Sequence, residues 1–254
     1  MRVTVCQLTN YGGILHDEWD ALVDHVRDED ADLLVLPEMP FSRWLPADFT
    51  VVAEQWEDAA DEAAEWLAVL PAFAPTAVVG TRPVSDDAGR RNAGFLVDGT
   101  ATVDVHDKAH LPDEPGFWER RWYEAADPSF LPFTTQGASV GMLICTELWA
   151  FEEARAYGRA AVDLLVVPRA TPHGSLERWL AGGRAAAVTA GAFVASSNLY
   201  RTPGGVDLGG MGFVVSPDGD LLGATDAADP FLTVDIDLDA ARAAKTTYPR
   251  YVFG

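Results

Sequence analysis

Cys145 closes the apolar run Val140-Gly-Met-Leu-Ile144 and is followed at once by Thr146 and Glu147. A run rich in Val, Leu and Ile reads as a buried strand, and the residues after it read as a turn into a helix. The thiol therefore stands at the carboxyl end of a strand and near a helix amino terminus. Sheets of alternating strands and helices carry their chemistry at such strand ends. Partly positive amides at a helix start also favour thiolate over thiol. This is a setting for a nucleophilic cysteine, although a lone cysteine also serves as a small core hydrophobe. Glu38 ends a second buried run, Asp32-Leu-Leu-Val-Leu-Pro37, and a carboxylate there suits a general base near neutral pH. Lys108 follows the strand-like segment 102–106. It is one of two lysines, with Lys245, against sixteen arginines (18 − 2 = 16). A lysine kept in a chain that avoids lysine invites a chemical reason. Glu119 lies in Phe117-Trp-Glu-Arg-Arg-Trp122, which either buries it or leaves it a surface partner of Arg120 or Arg121.

Composition narrows the classes of function. The chain has 254 residues, 48% of them hydrophobic, enough for one large α/β domain spanning residues 1–254. Its net charge of 18 − 39 = −21 repels nucleic acid and anionic membranes, so neither is an expected partner. No apolar run is long enough to span a bilayer, and Met-Arg-Val-Thr-Val-Cys6 enters a strand pattern with no signal peptide. A cytoplasmic location is the expectation. Acidic excess with scarce lysine further suggests a surface adapted to high salt. Cys6 and Cys145 make no disulfide framework, and Cys6 reads as core. His106 and His110 are four apart, but Pro112 and the turn-like Asp113-Glu-Pro-Gly116 argue against one helix presenting both to a metal. No metal site and no cofactor are expected.

The elements that position these residues follow from periodicity. Residues 2–9 alternate as a strand, and Leu15, Trp19, Leu22, Val23 and Val26 fall at helical spacing. Trp56, Ala59, Ala60, Ala63, Leu67 and Leu70 mark a second amphipathic helix. Strands follow near 76–81, 93–97 and 102–106, the last two joined by a tight hairpin at Asp98-Gly99. A long loop from Lys108 to about Thr134 is rich in Pro, Trp and charge, and such segments are usually functional. The pattern then restarts. Strand 139–145 leads to a helix over 152–161 and to Asp163-Leu-Leu-Val-Val-Pro168, nearly a copy of Asp32-Leu-Leu-Val-Leu-Pro37. Helix 175–190, strand 192–197 and hairpin strands 212–216, 221–224 and 231–236 complete it, with a turn at Pro217-Asp-Gly219. Two similar β-α-β-α-β-β halves therefore form one domain, and Glu38 and Arg169 should border a cleft between them. The runs Gly204-Gly205 and Gly209-Gly210 fit no phosphate loop.

Taken together, Glu38, Lys108, Glu119 and Cys145 resemble the catalytic set of the nitrilase (carbon–nitrogen hydrolase) superfamily, amidase and carbamoylase branch. Leu36-Pro-Glu38-Met-Pro-Phe41 is similar to its glutamate motif, and His106-Asp-Lys108-Ala-His-Leu-Pro112 to its lysine motif. Gly141-Met-Leu-Ile-Cys145 with acidic Glu147 resembles its nucleophile elbow. Pro112 to Asp127 resembles the loop of the amidase and carbamoylase branches, where the second glutamate falls on Glu119, with Glu114 as the rival. Ser197-Asn198 and Gly212-Phe-Val-Val-Ser-Pro-Asp-Gly219 resemble its second-half strands. There are departures: Thr146-Glu147 and Phe151-Glu152 replace the family's usual residues after the cysteine. The Trp-Glu pair of true nitrilases is missing, as are the paired arginines that some carbamoylases place just after the cysteine.

The resemblance implies a four-layer α-β-β-α sandwich, a homodimer or larger assembly, and an amidohydrolase acting on a small linear amide. Glu38 would be base and acid, Cys145 nucleophile, and Lys108 with the Thr146 backbone N–H the oxyanion donors, with Glu119 orienting Lys108. Phe41, Trp44, Trp118, Trp122, Trp149, Arg169 and His173 are the candidate substrate contacts, and Arg169 or His173 could hold a carboxylate. The rival readings are a ureido hydrolase, a nitrilase, and a catalytically silent small-molecule binding protein of the same fold.

Overall fold

The computed structural model describes residues 1–10, 12–87, 89–201 and 205–253, so Gly204 lies outside the described residues. The first half runs β1 (Arg2–Leu8), α1 (Gly12–Asp28), β2 (Leu33–Val35), α2 (Ala53–Val69), β3 (Ala77–Asp86), β4 (Gly89–Asp98) and β5 (Ala101–Asp107). A long connection carries the single-turn α3 (Glu119–Trp122) and β6 (Phe133–Thr135). The second half repeats the order with β7 (Ala138–Met142), α4 (Phe151–Arg159), β8 (Leu164–Arg169), α5 (Leu176–Ala190), β9 (Phe193–Leu199), β10 (Phe213–Val215) and β11 (Leu221–Ala224). It ends with β12 (Phe231–Asp235), α6 (Leu238–Ala244) and α7 (Arg250–Phe253).

The described strands form two leaves of matching order, β5-β4-β3-β2-β1-β12 and β11-β10-β9-β8-β7-β6. The leaves meet where Gln7 and Leu8 of β1 pair in parallel with Asn198 and Leu199 of β9. The expected halves thus need one amendment. β6 pairs antiparallel with β7, and β12 pairs antiparallel with β1, so the last strand after each half joins the other half's leaf.

Alternation of side chains explains the layers. Val3, Val5, Val35, Val79, Val140, Ile144, Val166 and Ala195 fill the space between the leaves. The opposite faces are covered by helices. Leu15, Trp19, Leu22 and Val26 of α1 pack with Ala63 of α2 on one leaf, and Ala154 and Tyr157 of α4 with Ala186 and Ala187 of α5 on the other. That is the expected four-layer sandwich. Each large aliphatic side chain so buried contributes about 1.5–3 kcal/mol.

Strand β7 ends at Met142, earlier than the expected 145. Leu143 and Ile144 continue to a 3-10 turn over Cys145–Trp149, and α4 starts only at Phe151. Gly141 is required on this strand, because a Cβ there would come within 2.9 Å of the Tyr157 ring. Tyr157 in turn donates to Met142 O at 3.1 Å and anchors the approach to the cysteine.

Candidate active site

The carboxyl ends of β2, β5 and β7 converge. Cys145 adopts φ +49°, and Met39, directly after Glu38, adopts φ +45°. Non-glycine residues rarely take this left-handed conformation, and it clusters at functional sites. The Met39 kink is held by its N–H donating to Thr81 Oγ1 at 2.9 Å, while the Glu38 N–H donates to Arg169 O at 3.2 Å. Glu38 and Arg169, from the two halves, therefore meet at the seam between the leaves.

Lys108 links the carboxylates. Its Nζ donates to Glu38 Oε1 at 2.7 Å and to Glu119 Oε2 at 2.6 Å, and all three side chains are buried. Glu119, rather than Glu114, is the glutamate on Lys108, and Arg120 and Arg121 bond elsewhere, to Leu111 O and Asp113. Asn92 Nδ2 donates to Glu38 Oε1 at 2.8 Å, and the Tyr123 hydroxyl donates to Glu119 Oε2 at 2.5 Å. Glu38 Oε2 and Glu119 Oε1 accept no hydrogen bond from the described residues, so each buried carboxylate keeps one oxygen without a protein donor.

Electrostatics set the resting protonation. Burial pushes the Cys145 thiol well above its usual range, the Glu38 carboxylate pushes the same way, and Lys108 opposes them. The expected helix-start stabilisation of a thiolate is outweighed: the cysteine rests as a thiol, and α4 begins too far along to help. Burial disfavours the Lys108 ammonium, but the charges of Glu119 and Glu38 outweigh it and hold Lys108 above its ordinary range. Burial raises Glu119, with Lys108 pulling it back and Glu38 adding to the rise. Cys6 is a core residue whose thiol burial pushes up to about 12.

Glu147, named in the sequence only as the acid beside the nucleophile elbow, is a brace whose role sequence reasoning missed. Its Oε2 accepts from His106 Nε2 at 2.7 Å and from Ile144 N at 2.8 Å, and its Oε1 accepts from Ala109 N at 2.7 Å. It ties the lysine segment to the cysteine turn. A glutamate three residues after Ile144, reaching back to that residue's N–H, is half of a capping box, the signal that could have flagged it. Asn92 and Tyr123 were also missed, and no local pattern marks them.

A cavity of about 310 Å³ opens at Cys145. Thr146 and Trp149 line it, as expected, together with Glu114, Phe117, Arg178 and Trp179. Several expected contacts lie elsewhere. Trp44 and Trp122 are buried in a separate cluster, with their Nε1 groups donating to Gly116 O and Asp48 O. Phe41 stacks on Trp66 in a cleft between α1 and α2, and Trp118 packs against Phe49 and Arg121. Arg169 is wholly buried behind the wall, and its guanidinium donates to Ser196 Oγ, Thr171 Oγ1 and Met211 O. His173 is exposed and outside the lining. Aromatic count in the sequence cannot tell which side of a strand end a ring will face. Among the described residues, no group of three or more His, Cys, Asp or Glu side chains is arranged to hold a metal ion, and no helix is long and apolar enough to cross a membrane.

The same architecture is found in a carbon-nitrogen hydrolase from Helicobacter pylori G27, with a TM-score of 0.88 over 99% of this chain and 94% of that one, at 20% identity. A variant of the amidase from Nesterenkonia sp. AN1, showing covalent addition of the acetamide moiety of fluoroacetamide at the active site cysteine, matches with a TM-score of 0.77. That match is 23% identical and covers 96% of this chain and 92% of the other. The chain belongs to the carbon-nitrogen hydrolase family, whose model matches residues 2–246. The N-carbamoylputrescine amidase of Arabidopsis thaliana is 26% identical over 176 residues, or 62% of this chain and 58% of that protein. The chain thus matches somewhat over half the length of this curated relative.

Proposed function

We propose that the protein is a cysteine-dependent amidohydrolase that cleaves a small linear amide through a thioester. The observation that carries this reading is the buried cluster in which Lys108 Nζ bridges Glu38 and Glu119 beside the Cys145 thiol. A thiol that rests protonated needs a base at the moment of attack, and Glu38 has an oxygen free to take that proton. As the sulfur–carbon bond forms, the carbonyl oxygen gains the charge, met by Lys108 and the Thr146 N–H. Glu38 returns the proton to the leaving nitrogen, the C–N bond breaks, and ammonia or an amine departs. Water then attacks the thioester, with Glu38 taking its proton. The acid is released and Cys145 leaves as a thiolate that Glu38 reprotonates. Glu119 holds Lys108 in place and charged.

A ureido substrate has the same trigonal carbonyl, and the likeness to an N-carbamoylputrescine amidase favours it as the second reading. A panel of amides, ureido acids and nitriles, scored for ammonia with carbon dioxide measured in parallel, separates the two, since an amide yields no carbon dioxide. Cys145→Ala is expected to abolish turnover with the circular-dichroism spectrum unchanged. Full activity in that variant would reject the assignment.

A further inference from the structure

Among the described residues, eight of the sixteen arginines form an ion pair with a carboxylate. Arg2, Arg27, Arg43, Arg82, Arg91 and Arg242 each pair with an aspartate or glutamate. Arg178 has no such partner among the described residues, and it lines the cavity at Cys145. Its position is costly to the helix: it is the third residue of α5, in the first turn, where the macrodipole disfavours a cation. Behind the same wall lies a second uncompensated cation. The Arg169 guanidinium is fully buried, meets only hydroxyl and carbonyl oxygens, and sits 5.9 Å from the ring of Trp179, which lines the cavity with Arg178. Arg169 places three of its five N–H groups on protein oxygens and is sealed behind the wall, outside the cavity lining, so it contributes its charge while Arg178 supplies the contact. Glu114 also lines the cavity.

We infer that Arg178 is a specificity-determining residue that binds a carboxylate carried by the substrate, so that the preferred amides or ureido compounds are anionic. This rests on the amidohydrolase reading for the hydrolysis step but not for the binding step. In a protein of net charge −21, a neutral substrate would need no such group and an anionic one would be repelled without it. A planar guanidinium facing a carboxylate makes charge-assisted, bidentate contacts, with a binding effect of roughly 10–100-fold.

The test compares succinamate with butyramide, near-isosteric amides that differ in a terminal carboxylate. Wild type is expected to favour succinamate in kcat/KM, and Arg178→Met to lower the succinamate-to-butyramide ratio roughly 10–100-fold, chiefly through KM. Arg178→Lys should keep much of the preference, which a purely packing role would not produce. Calorimetric binding of succinate against butyrate, to wild type and to Arg178→Met, reads the same subsite without turnover. Equal binding of the two acids by wild type, no binding of either, or an unchanged ratio in Arg178→Met would overturn the inference. Failure to hydrolyse any amide, with succinate still bound through Arg178, would instead reject the amidohydrolase reading.

Discussion

Glu147→Ala should be among the costliest single changes in this fold that leave the proposed catalytic groups untouched. The carboxylate accepts three hydrogen bonds in a fully buried position, from Ile144 N, Ala109 N and His106 Nε2. Alanine leaves two backbone donors with no partner. Each unsatisfied buried donor costs about 1–3 kcal/mol, so the loss is roughly 2–6 kcal/mol before any cavity effect. Urea unfolding followed by tryptophan fluorescence measures it as a shift in midpoint at constant slope. The pH dependence has a definite sign. Burial raises Glu147, but the hydrogen bond and charge of His106 and the two backbone donors outweigh it and hold it below the ordinary 4.5. A carboxylate depressed in the folded state contributes stability that is complete above its unfolded pKa and fades as pH falls through the folded one. The gap between wild type and Glu147→Ala should therefore be full at pH 6–7 and narrow once the pH drops below about 4.5. A variant within 0.5 kcal/mol of wild type at neutral pH, or a gap that widens in acid, would refute the bracing role.

Tyr123→Phe removes a hydroxyl donor from the Glu119 carboxylate, and hydrogen bonds to charged groups contribute about 1.5–3 kcal/mol. The urea midpoint should fall correspondingly, and an unchanged midpoint would mean that Glu119 does not need this donor. The surplus of 39 acidic over 18 basic side chains predicts a thermal midpoint that rises with added salt as self-repulsion is screened. A flat salt response would argue against a surface adapted to high salt.

How much of this was legible in the chain depends on whether the signal was local. The paired Asp-Leu-Leu-Val-x-Pro runs are strands buried on both faces, and their composition announces that environment. Glu38, Lys108 and Cys145 stand at or just past strand ends, where a periodicity break is visible, and the structure brings Lys108 onto Glu38 beside Cys145. Glu119 and Glu114 are both acids in one loop. Only the path of that loop past Lys108 separates them. Asn92 acts through Glu38, 54 residues away, with nothing near it in sequence to reveal that, whereas Glu147 shows in sequence only its local bond to Ile144 N and not its partner His106, 41 residues away. The tryptophans misled for a related reason. An aromatic-rich loop predicts burial, but Trp44 and Trp122 are buried against backbone carbonyls of their own cluster and away from the cavity. Arg169 was expected to meet a ligand, but it lies sealed behind the wall, outside the cavity lining.

The reciprocal placement of β6 and β12 means that neither repeat owns a finished sheet. Severed between β6 and β7, each fragment would carry a border strand meant for its counterpart and expose an unpaired ladder of its own, the kind of edge that invites association. The repeats are fastened like two hands with interlocked fingers.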